Sequence, residues 1–360
     1  NGRIKNMTYY GIFGNELENI TINDVIIDGI HLDNLEERYL TPAGLLISKS
    51  NGILINNLLV QNIDVRTDSL AGIQLAECTN GTISNCLLKD FVNRDGAVQG
   101  YSYILSSDIR TLHCGADNFQ SFFNGNILTS GHTVLGFIPI FCMNLNYNYC
   151  TVKNMMGCCD DCHGFSVFLN THVILNNIYV SNVVDGIGEA NTGAKATGIE
   201  IYGGYINVNN CTVENIMAIN PQDKQAAGYS VAGEFVEFRN CHAKNVTVYC
   251  DNEDEKSFGI GFGWAPDPRP LFKNIYAEKI FYRDCSASDC QIGFDTWFHI
   301  NSVWNNASSI DSNLGILIEN NSFRTLRCTP CSECNPPITT TLVNVAKNNV
   351  IINFTSIRNA

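Results

Sequence analysis

The densest set of reactive side chains in this chain is two adjacent carboxylates, a histidine and, one repeat later, a lysine. Asp160, Asp161 and His163 stand in the segment GCCDDCHG, and Lys195 and Glu200 follow in the next repeat. Neighbouring carboxylates repel, which raises one pKa, and a nearby ammonium lowers the other. One group can then act as acid and another as base at the same pH. Asp161, His163 and Lys195 are therefore the candidate acid–base residues. Asp160 and Glu200 are placed with them, to orient the others or to hold a cation. Arg66, Arg94, Asp95, His132, Glu200 and Trp264 are the candidate substrate-binding residues. The competing reading is a solvated face, because exposed turns of an acidic protein carry Asp and Lys anyway. Cys158, Cys159, Cys162 and His163 are the right residue types for zinc, but strand alternation sends neighbours to opposite faces. No metal site is assigned to them. The acidic tip DNEDEK at 251–256 is read as solvated.

What positions these residues is a repeat. A short motif begins at Asp24, Asn57, Asn85, His113, Tyr149, Asn177, Asn210, Asn240 and Asn274. Apolar residues or cysteines follow at +1 and +3, which is strand period. Asn or Asp dominates +5, as at Asn62, Asp90, Asn118, Asn154, Asn182, Asn215 and Asn245, and an apolar residue follows at +6. Asn tolerates the left-handed conformation. The pattern predicts a corner at +5 where two inward-facing strands meet, stacked from coil to coil.

A second anchor alternates with the first: a Gly followed by an apolar residue, at Gly44, Gly72, Gly100, Gly136, Gly164, Gly198, Gly228, Gly259 and Gly293. From glycine to next motif start the spacing is 13 residues five times running (44 to 57, 72 to 85, 100 to 113, 136 to 149, 164 to 177). The other arc varies from 15 to 23 residues. A constant arc is what stacked rungs require, and the variable arc places the long loops on one side. Helical repeats of similar period are contradicted by the period-2 strands. On this register Asp161, Lys195 and Lys256 each stand three residues before a glycine. Gln74, Ser102, Ser166, Glu200, Ser230 and Asp295 form an outward row two residues after it.

The chain has 360 residues, 45% of them hydrophobic, and a formal net charge of −13. That is enough apolar residue for a large core. Lys+Arg is 22 against Asp+Glu 35 with no basic run, which argues against a nucleic-acid partner. No apolar stretch approaches the roughly 18 residues of a membrane span. Of 16 cysteines, Cys86, Cys114, Cys150, Cys211 and Cys241 fall on the inward +1 position, where a small hydrophobe fits. Cys328, Cys331 and Cys334 form a CxxCxxC run read as disulfide-paired rather than metal-binding. N-x-[ST] sequons begin at Asn6, Asn19, Asn80, Asn210, Asn245, Asn306, Asn320 and Asn353, although Asn210 and Asn245 are also repeat positions. Acidity, few basic residues, cysteine content, sequons and a start at Asn1 rather than Met together predict a secreted protein.

The Asn ladder and inward aliphatic stacks resemble the right-handed parallel β-helix of the pectate-lyase-like superfamily. The resemblance covers roughly residues 18–300. It implies an all-β solenoid of about nine to eleven coils, with 1–300 as the β-helix and 301–360 as last irregular coils and a terminal cap in the same domain. It also implies a polysaccharide substrate lying along the lateral face, with cleavage or epimerisation, and calcium as the cofactor some members use. The Gly-His-Gly and Arg-x-Lys signatures of the glycosidases of this shape have no match at the expected places. The expected function is thus a polysaccharide-active lyase, hydrolase or epimerase. Two alternatives stay open. One is a non-catalytic extracellular rod such as an adhesin or glycan binder. The other is a β-helix enzyme with a small-molecule site under the 114–135 loop. Oligomeric state is not readable.

Overall fold

The computed structural model describes residues 2–32, 41–122, 132–158, 161–186, 195–219, 226–249, 257–261, 277–290, 292–295, 299–300, 302–312, 314–317, 323–326, 340–343 and 349–357. Among them the chain is all-β and contains no helix. None is therefore long and apolar enough to cross a membrane. The strands stack as a parallel β-helix with three ladders. The glycine ladder begins with Tyr10–Asn15, Ala43–Ser48 and Ser69–Ala76 and ends with Leu314–Leu317, joined by ten successive parallel pairings. A second ladder follows each glycine strand; Thr79–Ser84, Ser107–Leu112 and Met143–Asn148 are members. A third carries the sequence motif, as in Leu87–Asn93, Gly115–Ser121 and Thr151–Met156. The ladders continue past residue 300, to Val350–Ile352 and Thr355–Ile357. Phe323–Leu326 and Thr340–Val343 pair antiparallel outside the stack.

The coil is bent by residues in the left-handed region, four per turn. They are Glu77, Asn80, Asn85 and Asp90, then Leu105, Asp108, His113 and Asn118, then Phe141, Asn144, Tyr149 and Asn154, then Leu169, His172, Asn177 and Asn182, all with φ between 51° and 60°. The motif start forms the corner between second and third ladders. The expected corner at +5 is instead a kink inside one third-ladder strand. Asn118, for example, lies within Gly115–Ser121. Its left-handed backbone resets the alternation, so Ala116 and Phe119 both reach the core, 1% and 0% exposed. One kinked strand therefore does what two strands meeting at a turn were expected to do. The amides stack as the pattern requires. Asn182 Nδ2 donates to Asn154 Oδ1 at 3.0 Å, Asn215 to Asn182 at 3.1 Å and Asn245 to Asn215 at 2.8 Å.

The core is a set of columns running along the axis. Tyr101, Phe137 and Phe165 stack with ring centroids 4.3 Å apart at both steps. Each such pair contributes about 0.5–1.5 kcal/mol beyond its buried area. Cys86, Cys114, Cys150, Cys211 and Cys241 are buried at the inward +1 position, as expected of a small hydrophobe. All eleven described cysteines are buried. Burial raises the Cys150 thiol to about 12, so it stays protonated. Cys159, Cys328, Cys331 and Cys334 lie outside the described residues.

Candidate functional site

The glycine anchor explains how one short strand presents three polar side chains together. Cys162, Phe165 and Val167 belong to the core. A Cβ on Gly164 would also point inward, 2.4 Å from Val180 Cγ1 and 2.6 Å from the Gly198 carbonyl oxygen. Positions 164 and 165 are thus both core-facing, and the alternation shifts by one between them. Asp161, His163 and Ser166 are left on the opposite face, within six residues of one another. No larger residue fits at 164 without displacing the next coil.

The following coil supplies the partners. In the register of Asp161–Asn176 against Lys195–Asn209, Asp161 sits opposite Lys195, His163 opposite Thr197 and Ser166 opposite Glu200. Glu200 is the centre. Its Oε1 accepts from Lys195 Nζ. Its Oε2 accepts from Ser166 Oγ at 3.0 Å and lies 3.1 Å from His163 Nδ1. The other ring nitrogen, His163 Nε2, lies 4.0 Å from Asp161 Oδ2. Lys195 is fixed at its backbone too, where its N–H donates to Asp185 Oδ2 at 2.9 Å. The His163 side chain is 3% exposed and Asp161 35%, so the acid at the mouth is wet and the imidazole behind it is nearly dry.

Burial alone would push the Glu200 carboxyl up, since it disfavours the charged form. The charges of His163 and Lys195 and their hydrogen bonds outweigh it and hold the carboxyl well below its ordinary value of 4.5. Glu200 is therefore an ionised anchor and not an acid. With Nδ1 turned to Glu200, Nε2 is the ring nitrogen that faces Asp161. Beneath, burial holds the Cys162 thiol well above its usual range, which makes it inert.

The other expected residues are placed elsewhere or lie outside the described region. Asp160 and Trp264 are outside it. Arg66 pairs with Asp95 at 3.3 Å, and Arg94 grips Asp64 through two bonds of 2.8 and 2.6 Å. These two pairs form a separate ionic group in earlier coils. His132 is buried just before the strand Val134–Ile140. Its coil neighbours that of His163, because Val134 pairs with Cys162. Glu200, expected to bind substrate, to orient the acid–base residues or to hold a cation, lies against Lys195, Ser166 and His163 at once. Its signal in the sequence was its place in the polar row after the glycines. Ser166 stood in the same row, and nothing in the pattern pointed to Asp185. Among the described residues no group of three or more His, Cys, Asp or Glu could hold a metal ion. Both Glu200 oxygens are already engaged by neighbouring side chains, so the group does not fit calcium.

No family model matches the chain, and no curated protein matches it by sequence. Solved structures match in shape. The A-module of the mannuronan C-5 epimerase AlgE6 of Azotobacter vinelandii matches at 9% identity, over 98% of this chain and 88% of that one, with a TM-score of 0.37. A rhamnogalacturonan lyase matches at 12% identity over 84% and 77%, with a TM-score of 0.35. The surface protein and adhesin PfbA of Streptococcus pneumoniae matches at 8% identity over 99% and 91%, with a TM-score of 0.32. The chain is thus similar in shape to these proteins. Matches of this strength carry nothing about reaction, which has to come from the side chains.

Proposed function

We propose that the chain is an extracellular enzyme acting on a polysaccharide that lies along the glycine ladder, and that it works by proton transfer at His163. The supporting observation is the imidazole held between an ionised, lysine-bound Glu200 and the half-exposed Asp161. His163 Nε2 takes a proton from a sugar carbon or hydroxyl, or returns one to a leaving oxygen, and Asp161 relays it to solvent. Glu200 and Lys195 are positioning residues: they hold the imidazole in place against Asp161. Proton abstraction, as in elimination or epimerisation of an acidic sugar, suits this set better than hydrolysis. Hydrolysis needs two carboxylates free to act as acid and as base or nucleophile, and Glu200 is committed to its cations. The acidic composition and exposed sequons support an extracellular location. The cysteines add nothing to it, because those described are buried.

The test is a panel of acidic and neutral polysaccharides offered to the wild type, His163→Gln and Asp161→Asn, with and without calcium. Absorbance of unsaturated ends, reducing-sugar release and solvent-proton exchange at sugar carbons are followed together. Unsaturated product or exchange from the wild type, reduced at least about 10²-fold in His163→Gln, is expected. Reducing ends without unsaturation would replace proton abstraction by hydrolysis. Binding without any product would leave a non-catalytic rod.

A further inference from the structure

A second face of the coil carries a groove that the proton-transfer site does not use. It runs along the outside of the second ladder, with a volume of about 850 Å³, from Asn80 to Phe235. It spans six coils, five steps of about 4.8 Å, or about 24 Å. The coil step is comparable to the length of one sugar residue, so an extended chain can repeat its contacts in register with the protein. Arg110 and Asn146 lie opposite each other on its floor. Among the described residues no carboxylate pairs with Arg110, which is exposed. The one acid beside it, Asp108, has its oxygens engaged by Asn144 at 3.1 Å and Ser107 at 3.0 Å. Asn146 Oδ1 is buried without a hydrogen-bond partner. An orphaned acceptor beside a free guanidinium asks for a ligand with both a hydroxyl and an anion.

One wall of the groove is a left-handed column whose residue types change along the axis. It begins Asn80, Asp108, Asn144, which adopt that conformation readily. It continues His172, Tyr205 and Phe235, each at φ 58°, of which the two larger aromatics do so far less readily. The three rings stack at 5.2 and 5.0 Å, and Tyr205 remains 54% exposed. Exposed aromatic rings along a groove offer flat apolar faces on which a ligand ring can pack. Aromatic wall, amide-lined floor and one free cation match an acidic sugar chain.

We propose that this groove binds an extended oligosaccharide carrying carboxylates, as a holding site apart from the glycine ladder. The ligand class rests on the polysaccharide reading above; the site itself does not. Arg110 takes a sugar carboxylate in a forked contact, Asn146 accepts from a hydroxyl, and the exposed edge of Tyr205 packs against a ring.

Calorimetry with hexasaccharides of mannuronate, guluronate, galacturonate and glucuronate, and with cellohexaose as the neutral control, tests it. Hydroxyl-radical footprinting reports where each binds. One or more acidic hexamers should bind the wild type and shield Tyr205 and Phe235. Arg110→Ala and Asn146→Ala, both at surface-lining positions, should each weaken that binding about tenfold, and His163→Gln should leave it unchanged. Four results would overturn the proposal: no acidic hexamer binding; shielding confined to the region of His163; cellohexaose binding as tightly as the acidic hexamers; or rings shielded by a second copy of the chain, with dimers in sedimentation. Hexamer binding by a wild type that forms no product would break the enzymatic reading alone. Full product with wild-type affinity in Arg110→Ala would break the groove alone.

Discussion

The glycine-ladder face and the second-ladder face are built from the same backbone, rung against rung, yet they treat polar groups in opposite ways. On the first, Glu200 is drawn below the surface and accepts hydrogen bonds from Lys195 and Ser166, with His163 packed against the same carboxylate. On the second, Arg110 and Tyr205 are left exposed, and Asn146 Oδ1 has no partner. The glycine bulge makes the difference. It places outward side chains at −3, −1 and +2 of one strand, close enough to fold onto each other and exclude water. The second ladder has no such bulge, so its outward residues stand one per coil in an open file. Proton transfer gains from a dry, preorganised cluster; recognition of a long polymer gains from an open one.

The strongest way to break the comparison is to remove the bulge. Gly164→Val would drive its side chain into Val180 and the Gly198 carbonyl. A loss of about 3 kcal/mol or more is expected in urea unfolding; a loss below about 1 kcal/mol would show that the coils can separate there. Next is Lys195→Met, which leaves Glu200 in a low-dielectric site with one cation fewer. It should cost about 3 kcal/mol, and a neutral result would mean that Glu200 is better hydrated than its contacts imply.

The pH dependence sharpens the same point. Glu200 is held well below 4.5 in the folded chain. Its contribution to stability is therefore fully present above about pH 4.5 and is lost as pH falls toward the depressed folded value. Stability of the wild type should drop between about pH 5 and pH 3 more steeply than that of Glu200→Gln, which is less stable at pH 7 and flatter below. Parallel curves would remove Glu200 as an ionised anchor. The smallest effect belongs to the open face. Tyr205→Asn relieves a left-handed aromatic residue, worth about 1–2 kcal/mol, and gives up two ring stacks of about 0.5–1.5 kcal/mol each. The net change in melting stability should stay within about 1 kcal/mol, while hexasaccharide affinity falls.

Much of this was readable in the chain before any coordinates. The constant spacing from glycine to motif start set the register, and it correctly put Asp161 opposite Lys195 and Ser166 opposite Glu200. The inward cysteines and the Asn column followed from period alone. The left-handed residue at +5 was read as a corner because a kink and a turn ask for the same residue type; only the burial of Ala116 and Phe119 on one strand separates them. The burial of Glu200 was not legible, because burial of an outward residue depends on the side chains of the neighbouring coil, here Lys195 and His163. The second groove was missed for a related reason. His172, Tyr205 and Phe235 occupy a position where Asn is expected, and nothing local marks a substitution made in three successive coils.

The regular spacing of the glycines also bears on how such a molecule changes length. Gly44 to Gly72, Gly72 to Gly100 and Gly136 to Gly164 are each 28 residues, while Gly100 to Gly136 is 36. A segment of 28 codons taken from one glycine to the next therefore encodes one complete rung with its own corners and core residues. Copying or losing that segment leaves every remaining strand beside a partner of the same type. Heredity can lengthen or shorten this rod in whole steps, and each added step brings one more outward residue to both faces.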